Sequence, residues 1–202
     1  MTPTPSPTPD NSQRNQPNAA PNQSPASTLW APWRLPYLES IDDEPKPAAE
    51  DPSFLANYWR TPERDHHNHV IHRDDAGMIL LNGYPYANGH LLVALGEPRP
   101  RLLDYDPHHR AHLFSLVTLA CDILETGLEP QGVNIGINQG RAAGAGVPQH
   151  LHAHLVPRWS GDVNFMTTVA AVRVIPAALQ AMAERLRKAA DIVKSQKEHQ
   201  RQ

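Results

Sequence analysis

The sequence predicts an α+β domain in which a largely antiparallel, five-stranded sheet carries two main helices. Apolar residues recur at helical spacing in two stretches of the 202-residue chain, at residues 113–124 and 179–190. Shorter apolar stretches bounded by turn residues are typical of strands. In the last of these stretches histidines alternate with apolar residues, which is the period of a strand with one buried face. The predicted order is β-β-β-α-β-β-α.

Composition restricts the classes of protein to which this chain could belong. Its length suits one well-buried domain with extensions, and its formal net charge of −3 argues against a non-specific nucleic-acid binder, which would carry a basic face. The single cysteine, Cys121, excludes an internal disulfide framework and is predicted to be a buried structural thiol. No apolar run approaches the roughly 18 residues that cross a bilayer, and no signal peptide is evident. We therefore expect a cytoplasmic protein that binds neither membrane nor nucleic acid.

The N-terminal third of the chain is predicted to be an extension of the domain. Residues 1–28 are rich in Pro, Ser, Thr, Asn and Gln, so they cannot offset the entropy of ordering and are expected to be disordered. Residues 29–65 are interpreted as an arm and linker that pack on the core. Trp30 and Trp33 in this arm are expected to pack against the domain or to border a base pocket. Phe54–Trp59 could form a short helix.

The predicted domain, residues 66–193, begins with three strands and a helix. The strands are His69–Arg73, Gly77–Asn82 and His90–Leu95, and turn residues fill the segments between them. The helix should begin after Asp106, which is a good N-cap because Pro107 follows it, and should stop at Gly127.

Two more strands and a helix complete the predicted domain. Gly132–Ile137 is the fourth strand, and the segment with the alternating histidines is the fifth. The second helix should run from about Pro176 to Ala190, and its charged end, residues 194–202, is expected to fray.

The fifth strand carries the strongest functional signal. His150, His152 and His154 alternate with apolar residues, so all three imidazoles are predicted to point to one side of the sheet. A glycine-rich segment, Gly140–Gly146, precedes them and is of the kind that lets backbone N–H groups approach a phosphate. Arg158 after the strand adds a positive charge that favours an anion or simply lies at the surface.

Three interpretations of the histidine strand compete. The histidines could be polar residues on a solvent-facing sheet, ligands of a metal such as zinc, or a row that binds and attacks a phosphate. Strict alternation of three histidines is improbable for an ordinary solvent-facing strand. A metal site does not need a glycine-rich anion cradle beside it, so the third interpretation is favoured.

The residues His150-Leu-His-Ala-His-Leu-Val156 match the His-φ-His-φ-His-φ-φ motif, where φ is apolar, of the histidine triad (HIT) superfamily of nucleotide hydrolases and transferases. The resemblance covers roughly residues 66–160. The segments Leu29–Arg34 and Pro157–Met166 resemble a narrower group, the bacterial diadenosine tetraphosphate phosphorylase- or hydrolase-like proteins.

This resemblance implies a covalent mechanism. The middle histidine, His152, would attack the α-phosphate of a nucleotide and form a nucleotidyl-histidine, which then passes to water or to inorganic phosphate. His154 would donate to the non-bridging phosphate oxygens, and His150 would orient the row. His90 corresponds to a separate upstream histidine that supports the triad.

The resemblance also implies a set of substrate-binding residues. Asn82 stands where the family places a contact to ribose, and the amide of either Asn138 or Gln139 would contact the α-phosphate or leaving group. Gly144 and Gly146 would allow close backbone approach. Two strand residues could line the base pocket, although core packing is the favoured interpretation for both; they are Ile79 and Leu81.

The chain departs from this narrower group at one position. Many relatives carry a Cys-x-x-Cys pair ahead of the first strand, and both cysteines are missing at the apparent equivalent, Ser53–Ala56. Zinc binding through that pair is therefore excluded. A nearby histidine cluster could still bind metal, but a solvated loop is favoured; its members are His66, His67, His69 and His72.

The sequence thus predicts an enzyme that cleaves dinucleoside polyphosphates, such as diadenosine tetraphosphate, by phosphorolysis or hydrolysis. The alternatives are a nucleoside phosphoramidate hydrolase with a regulatory role and, in a different class, a protein whose triad binds metal. No cofactor is required, although Mg²⁺ could accompany the polyphosphate. A homodimer is expected by analogy with the family.

Overall fold

The computed structural model describes residues 53–162 and 178–199. The predicted tail, the tryptophan-containing segment 29–38, the acidic linker 40–52 and residues 163–177 lie outside the described residues.

The sheet has the five antiparallel strands that the sequence predicts. Every neighbouring pair is antiparallel, and the spatial order is β1-β2-β3-β5-β4. The strands are β1 (Val70–Arg73), β2 (Gly77–Leu81), β3 (Leu91–Leu95), β4 (Gly132–Ile137) and β5 (His152–Arg158). Strands β1 and β4 are therefore the edges, and the histidine strand β5 lies inside the sheet.

Three α-helices accompany the sheet in the described residues, and short 3₁₀ turns occur at Pro62–Arg64, Leu102–Asp104 and Arg141–Ala143. The helices are α1 (Phe54–Arg60), α2 (Pro107–Leu128) and α3 (Leu179–His199). Asp106 caps α2 as predicted, because its carboxylate accepts the His109 N–H at 2.9 Å.

Helix α2 ends later than the sequence predicts, and α3 reaches into the charged end of its predicted segment. Helix α2 continues to Leu128 and stops at Glu129, which adopts the left-handed conformation with φ 49°. Gly127 serves a different purpose, since a Cβ there would lie 3.0 Å from Ala189 Cβ on α3. Helix α3 extends to His199, within the segment 194–202 that was expected to fray, and Lys197 Nζ lies 2.7 Å from Asp122 Oδ2 on α2.

The two faces of the sheet carry different layers. Helices α2 and α3 bury one face in the main hydrophobic core, which contains Ile79 and Leu81, so core packing is the correct interpretation of these two residues. Helix α1 covers part of the other face in a smaller cluster, whose members are Leu55, Val70, Met78, Leu80, Leu92 and Ala94. The antiparallel register places His152 opposite Ala94 and His154 opposite Leu92, on the face that α1 covers.

Helix α2 is more apolar than the sequence analysis allowed. Among the helices of the described residues, it alone has the length and mean hydropathy of a membrane span. The expectation that no run approaches this criterion was therefore wrong. Residues such as Leu113, Ala120 and Ile123 are buried against the sheet, and a core helix packed in this way meets the same criterion.

Helix α1 is held under the sheet by two features at its C-terminal end. The Arg73 guanidinium donates to the carbonyls of Tyr58 and Trp59 at 2.8 and 3.0 Å. The Trp59 ring lies against Gly96, just after β3, where a Cβ would be 2.1 Å from ring atom Cε2. Glycine is therefore required at position 96 if α1 is to pack this closely.

We predict that Gly96→Ala destabilises the protein by about 1–3 kcal/mol, because Trp59 must move and α1 with it. The matched control is Gly132→Ala in β4, where an added Cβ meets nothing within 4 Å. Urea unfolding of both variants measures the difference. Equal stability of the two variants would contradict this account of α1 packing.

Candidate active site

The sequence predicts that all three triad histidines lie in one strand, but only His152 and His154 do. His152 and His154 lie in β5 with their side chains on the α1 face, but β5 begins only at His152. His150 precedes the strand, in a turn where its N–H donates to the Val147 carbonyl at 3.2 Å. The sequence prediction extended the alternating pattern of the strand one histidine too far toward the N-terminus. The pairing of β3 with β5 ends at Ala94 and His152, so His150 lies before the strand.

His150 is an internal anchor. Its side chain is 0% exposed, and both ring nitrogens are engaged: Nε2 lies 2.7 Å from the Leu95 carbonyl oxygen and Nδ1 lies 2.8 Å from Ser53 Oγ. Burial lowers the pKa of His150 to about 4, although the bond to Leu95 opposes this shift. The ring is therefore neutral at physiological pH and is inaccessible to a substrate.

His152 has the geometry of a nucleophile. Its Nδ1 lies 2.8 Å from the His150 carbonyl oxygen, which can only accept, so Nδ1 carries the proton. Burial lowers the pKa of His152, and the carbonyl bond only partly offsets this effect. A neutral ring with its proton on Nδ1 must present a lone pair at Nε2. Nε2 is the atom that could attack phosphorus.

His154 has the complementary tautomer, which His90 imposes. The Tyr86 N–H donates to His90 Nδ1 at 3.1 Å, so the proton of a neutral His90 is on Nε2. His90 Nε2 lies 3.0 Å from His154 Nδ1 and donates to it, which leaves the His154 proton on Nε2. Burial, and then His152, lower the pKa of His154 to about 4.

The two strand histidines therefore offer opposite chemistry side by side. Their ring centroids are 4.8 Å apart. His152 presents a lone pair, and His154 presents an N–H group. This combination can attack a phosphorus atom and at the same time donate a hydrogen bond to one of its oxygens.

Tyr86 is a site residue that the sequence analysis assigned only to a turn. Its ring lies 4.8 Å from the His90 ring and 6.1 Å from the His154 ring, nearly parallel to the latter at 26°. Its backbone N–H also sets the His90 tautomer. The sequence feature that could have identified Tyr86 is its aromatic ring in the turn that leads to His90.

Asn82 is already engaged within the protein. Its Oδ1 accepts the Tyr84 N–H at 3.0 Å, and its Nδ2 donates to His90 Nδ1 at 3.2 Å. Its position therefore supports the turn and His90. The predicted contact to ribose would have to use the second Nδ2 hydrogen or the remaining lone pair of Oδ1.

The structure distinguishes Asn138 from Gln139. Gln139 Oε1 accepts the Leu102 N–H at 2.9 Å and so ties two loops together. Among the described residues, Asn138 Nδ2 makes only a long contact of 3.4 Å, to the Gly144 carbonyl within the glycine-rich loop. Asn138 is thus the better candidate for a substrate contact.

The glycine-rich loop is partly closed on itself. Gly140 and Gly144 adopt φ 82° and 81°, conformations that favour glycine. The Gly144 N–H donates to the Arg141 carbonyl at 2.9 Å, so it is not directed at a ligand. The N–H of Gly146 has no acceptor among the described residues. Of the two predicted phosphate-contacting glycines, Gly144 and Gly146, Gly146 is therefore the one whose N–H is able to contact a phosphate.

The Arg158 guanidinium forms an ion pair at the surface. Its Nε and one terminal nitrogen lie 2.6 and 2.9 Å from the two Asp162 carboxylate oxygens. Of the two interpretations of Arg158, a surface residue rather than a positive charge for a bound anion is therefore correct.

The geometry disfavours the triad as a metal site. Within residues 53–162 and 178–199, only Asp106, His108 and His109 bring three possible ligand atoms within 4.8 Å of one another, and these lie on the surface at the start of α2. The histidines at 66–72 form no such group either, and His66 Nε2 lies 3.1 Å from Gln180 Nε2.

Comparison with known proteins identifies the family. The model of the HIT domain family matches residues 63–161, which include His90 and all three triad histidines. A Mycobacterium tuberculosis protein named AP-4-A phosphorylase is 34% identical over 157 residues, which are 75% of this chain and 78% of that protein. The chain belongs to the HIT family. The membership predicted from the triad motif is thus confirmed.

Two further relatives extend the comparison. The asymmetrical bis(5'-nucleosyl)-tetraphosphatase of Schizosaccharomyces pombe is 34% identical over 95 residues, covering 47% of this chain and 52% of that protein. The crystal structure of a Zn-bound histidine triad family protein from Mycobacterium smegmatis superimposes with a TM-score of 0.57 at 28% identity, covering 69% of this chain and 95% of that one. The chain is a HIT-family enzyme with the HIT fold.

We predict that the HIT domain loses stability as the pH falls from 7 to 5. Because burial lowers the pKa of all three triad histidines, the unfolded chain binds more protons than the folded chain below pH about 6.5. Each such histidine can lower the free energy of unfolding by up to about 1.4 kcal/mol per pH unit in this window. Urea unfolding at pH 7, 6 and 5 measures the trend.

The trend should persist at high salt, since buried groups are screened much less than surface charges. A free energy of unfolding that is the same at pH 7 and pH 5 would contradict the buried, neutral triad.

Proposed function

We propose that this HIT-family enzyme cleaves dinucleoside polyphosphates, such as diadenosine tetraphosphate, at the α-phosphate through a nucleotidyl-His152 intermediate. The observation that carries the proposal is the pair of opposite tautomers, with a lone pair on His152 Nε2 beside an N–H on His154. The names of the M. tuberculosis and S. pombe relatives, a phosphorylase and a tetraphosphatase, support this class of substrate.

In the first step, His152 Nε2 forms a bond to the α-phosphorus while the bond from that phosphorus to the bridging oxygen breaks. With diadenosine tetraphosphate the leaving group is ATP, and AMP remains on the histidine. The ring becomes positively charged because both nitrogens are then substituted, and the His150 carbonyl, 2.8 Å from Nδ1, stabilises this charge. The N–H of His154 donates to a non-bridging oxygen.

In the second step an acceptor attacks the same phosphorus and His152 leaves as a neutral imidazole. We favour inorganic phosphate as the acceptor, because the relative that aligns along three quarters of this chain is named a phosphorylase. The products are then ADP and ATP. Water as the acceptor would give AMP and ATP.

The protein groups around the triad do not call for a resident cation. Among the described residues, the side chains outside the triad that bond to the triad histidines are the Ser53 hydroxyl and the His90 imidazole, and neither is a carboxylate. We propose that any Mg²⁺ used in the reaction arrives bound to the polyphosphate, as its counterion.

We predict that His152→Ala lowers turnover of diadenosine tetraphosphate by at least about 10⁴-fold, because it removes the nucleophile. The wild-type enzyme, quenched at alkaline pH, should carry one adenylyl group on His152 by mass spectrometry. Turnover with and without inorganic phosphate distinguishes phosphorolysis from hydrolysis. Full turnover in the absence of phosphate would refute the phosphorolytic assignment.

The matched control is His108→Ala, which removes an exposed histidine at the start of α2. It should leave turnover unchanged. Retention of activity in His152→Ala, with its fold verified by circular dichroism, would refute the nucleophile.

We also propose that two copies pair through β4. This strand is an edge of the sheet, most of it is exposed, and Ile135 on it is 52% exposed. An open edge of this kind is suited to pairing with another strand.

We predict that Ile135→Arg converts the dimer to a monomer, measured by size-exclusion chromatography with light scattering. Ile192→Arg on α3 is the matched control, because Ile192 is 49% exposed and lies away from this edge. A monomeric wild-type protein, or disruption by Ile192→Arg alone, would reject pairing through β4.

A further inference from the structure

Ser53 reaches from the beginning of α1 into the triad. It is 97 residues from His150 in sequence, yet its Oγ lies 2.8 Å from His150 Nδ1 and its side chain is buried. The same oxygen accepts the Ala56 N–H at 3.1 Å and so caps α1. One hydroxyl group therefore joins the N-terminal helix to the catalytic strand.

The direction of each hydrogen bond follows from the partners. The Leu95 carbonyl can only accept, so His150 Nε2 carries the ring proton. Burial keeps the ring neutral, which leaves a lone pair on His150 Nδ1. Ser53 must therefore donate its hydroxyl proton to Nδ1 while its oxygen accepts from Ala56.

The ring that Ser53 holds belongs to the residue that orients His152. The His150 carbonyl accepts the His152 Nδ1 proton at 2.8 Å. Because β5 begins at His152, no strand pairing fixes the backbone at His150. The position of its carbonyl depends on three sets of bonds. They are the turn bond to Val147, the bond that the Leu151 N–H of the same peptide unit donates to the Arg99 carbonyl at 2.8 Å, and the two hydrogen bonds of the buried His150 ring.

We propose that Ser53 is a positioning residue for His152. By donating to His150 Nδ1 it fixes the orientation of the His150 ring, and through that residue it places the carbonyl that holds His152 in the Nδ1–H tautomer. This inference rests on the proposed role of His152 as the nucleophile. It assigns to α1 a part in catalysis in addition to its part in packing.

The test separates hydrogen-bond donation from helix capping. Ser53→Ala removes the donor and the cap, whereas Ser53→Gly removes the donor but retains most of the capping stabilisation, because glycine is a favourable N-cap residue. Positioning predicts that kcat falls by roughly 10- to 100-fold in both variants, with KM little changed. Ser53→Thr, which retains a hydroxyl, should restore kcat.

Asp106→Ala is the matched control, because it removes the N-cap of α2 without touching the triad. Its stability should fall, as it does in Ser53→Ala, but its kcat should be unchanged. Near-wild-type kcat in Ser53→Gly would overturn the proposal, and so would an equal loss of kcat in Asp106→Ala and Ser53→Ala.

A second readout does not depend on turnover. Nitrogen-15 NMR of the imidazole rings should show His152 as a single Nδ1–H tautomer in the wild type and as a mixture in Ser53→Gly. If the wild type shows the single tautomer but does not cleave dinucleoside polyphosphates, the proposed function fails and positioning stands. If the His152 signal is the same in both proteins, positioning fails whatever the activity.

Discussion

The proposed active site depends on one hydrogen bond, from His152 Nδ1 to the His150 carbonyl. An imidazole can attack phosphorus only through a nitrogen that carries a lone pair, and this bond determines which nitrogen that is. The carbonyl is in turn held by a residue whose ring is completely buried and bonded at both nitrogens. The surrounding structure, from α1 to the end of β3, keeps this carbonyl in place.

The same burial that stabilises the fold also prepares the chemistry. Helices α2 and α3 cover one face of the sheet, and α1 covers part of the other, so the histidines on that second face lose much of their hydration. Desolvation disfavours the charged imidazolium and lowers the pKa of His150, His152 and His154. A neutral His152 ring at physiological pH is thus a consequence of where the strand lies in the sheet, and it suits the proposed role of this residue as the nucleophile.

Much of the fold was predictable because local patterns agreed with the tertiary structure. The five strands and two main helices follow the apolar periodicities, and Asp106 followed by Pro107 marked the start of α2. The errors lie where a long-range constraint decides. The alternation that placed His150 in the strand ignored where β3 stops pairing, and Gly127 was assigned to a helix end although it serves the approach of α2 to α3.

The sequence by itself determined the family, the sheet and the face on which His152 and His154 lie, because a strand alternates its side chains whatever surrounds it. Only the tertiary structure decided the proton positions, since tautomers depend on partners far away in sequence, such as Ser53 for His150 and His90 for His154. It also showed that Asn82 and Gln139 are bonded within the protein and that Tyr86 lies against the site. No spacing rule encodes these contacts, because each joins segments that only folding brings together.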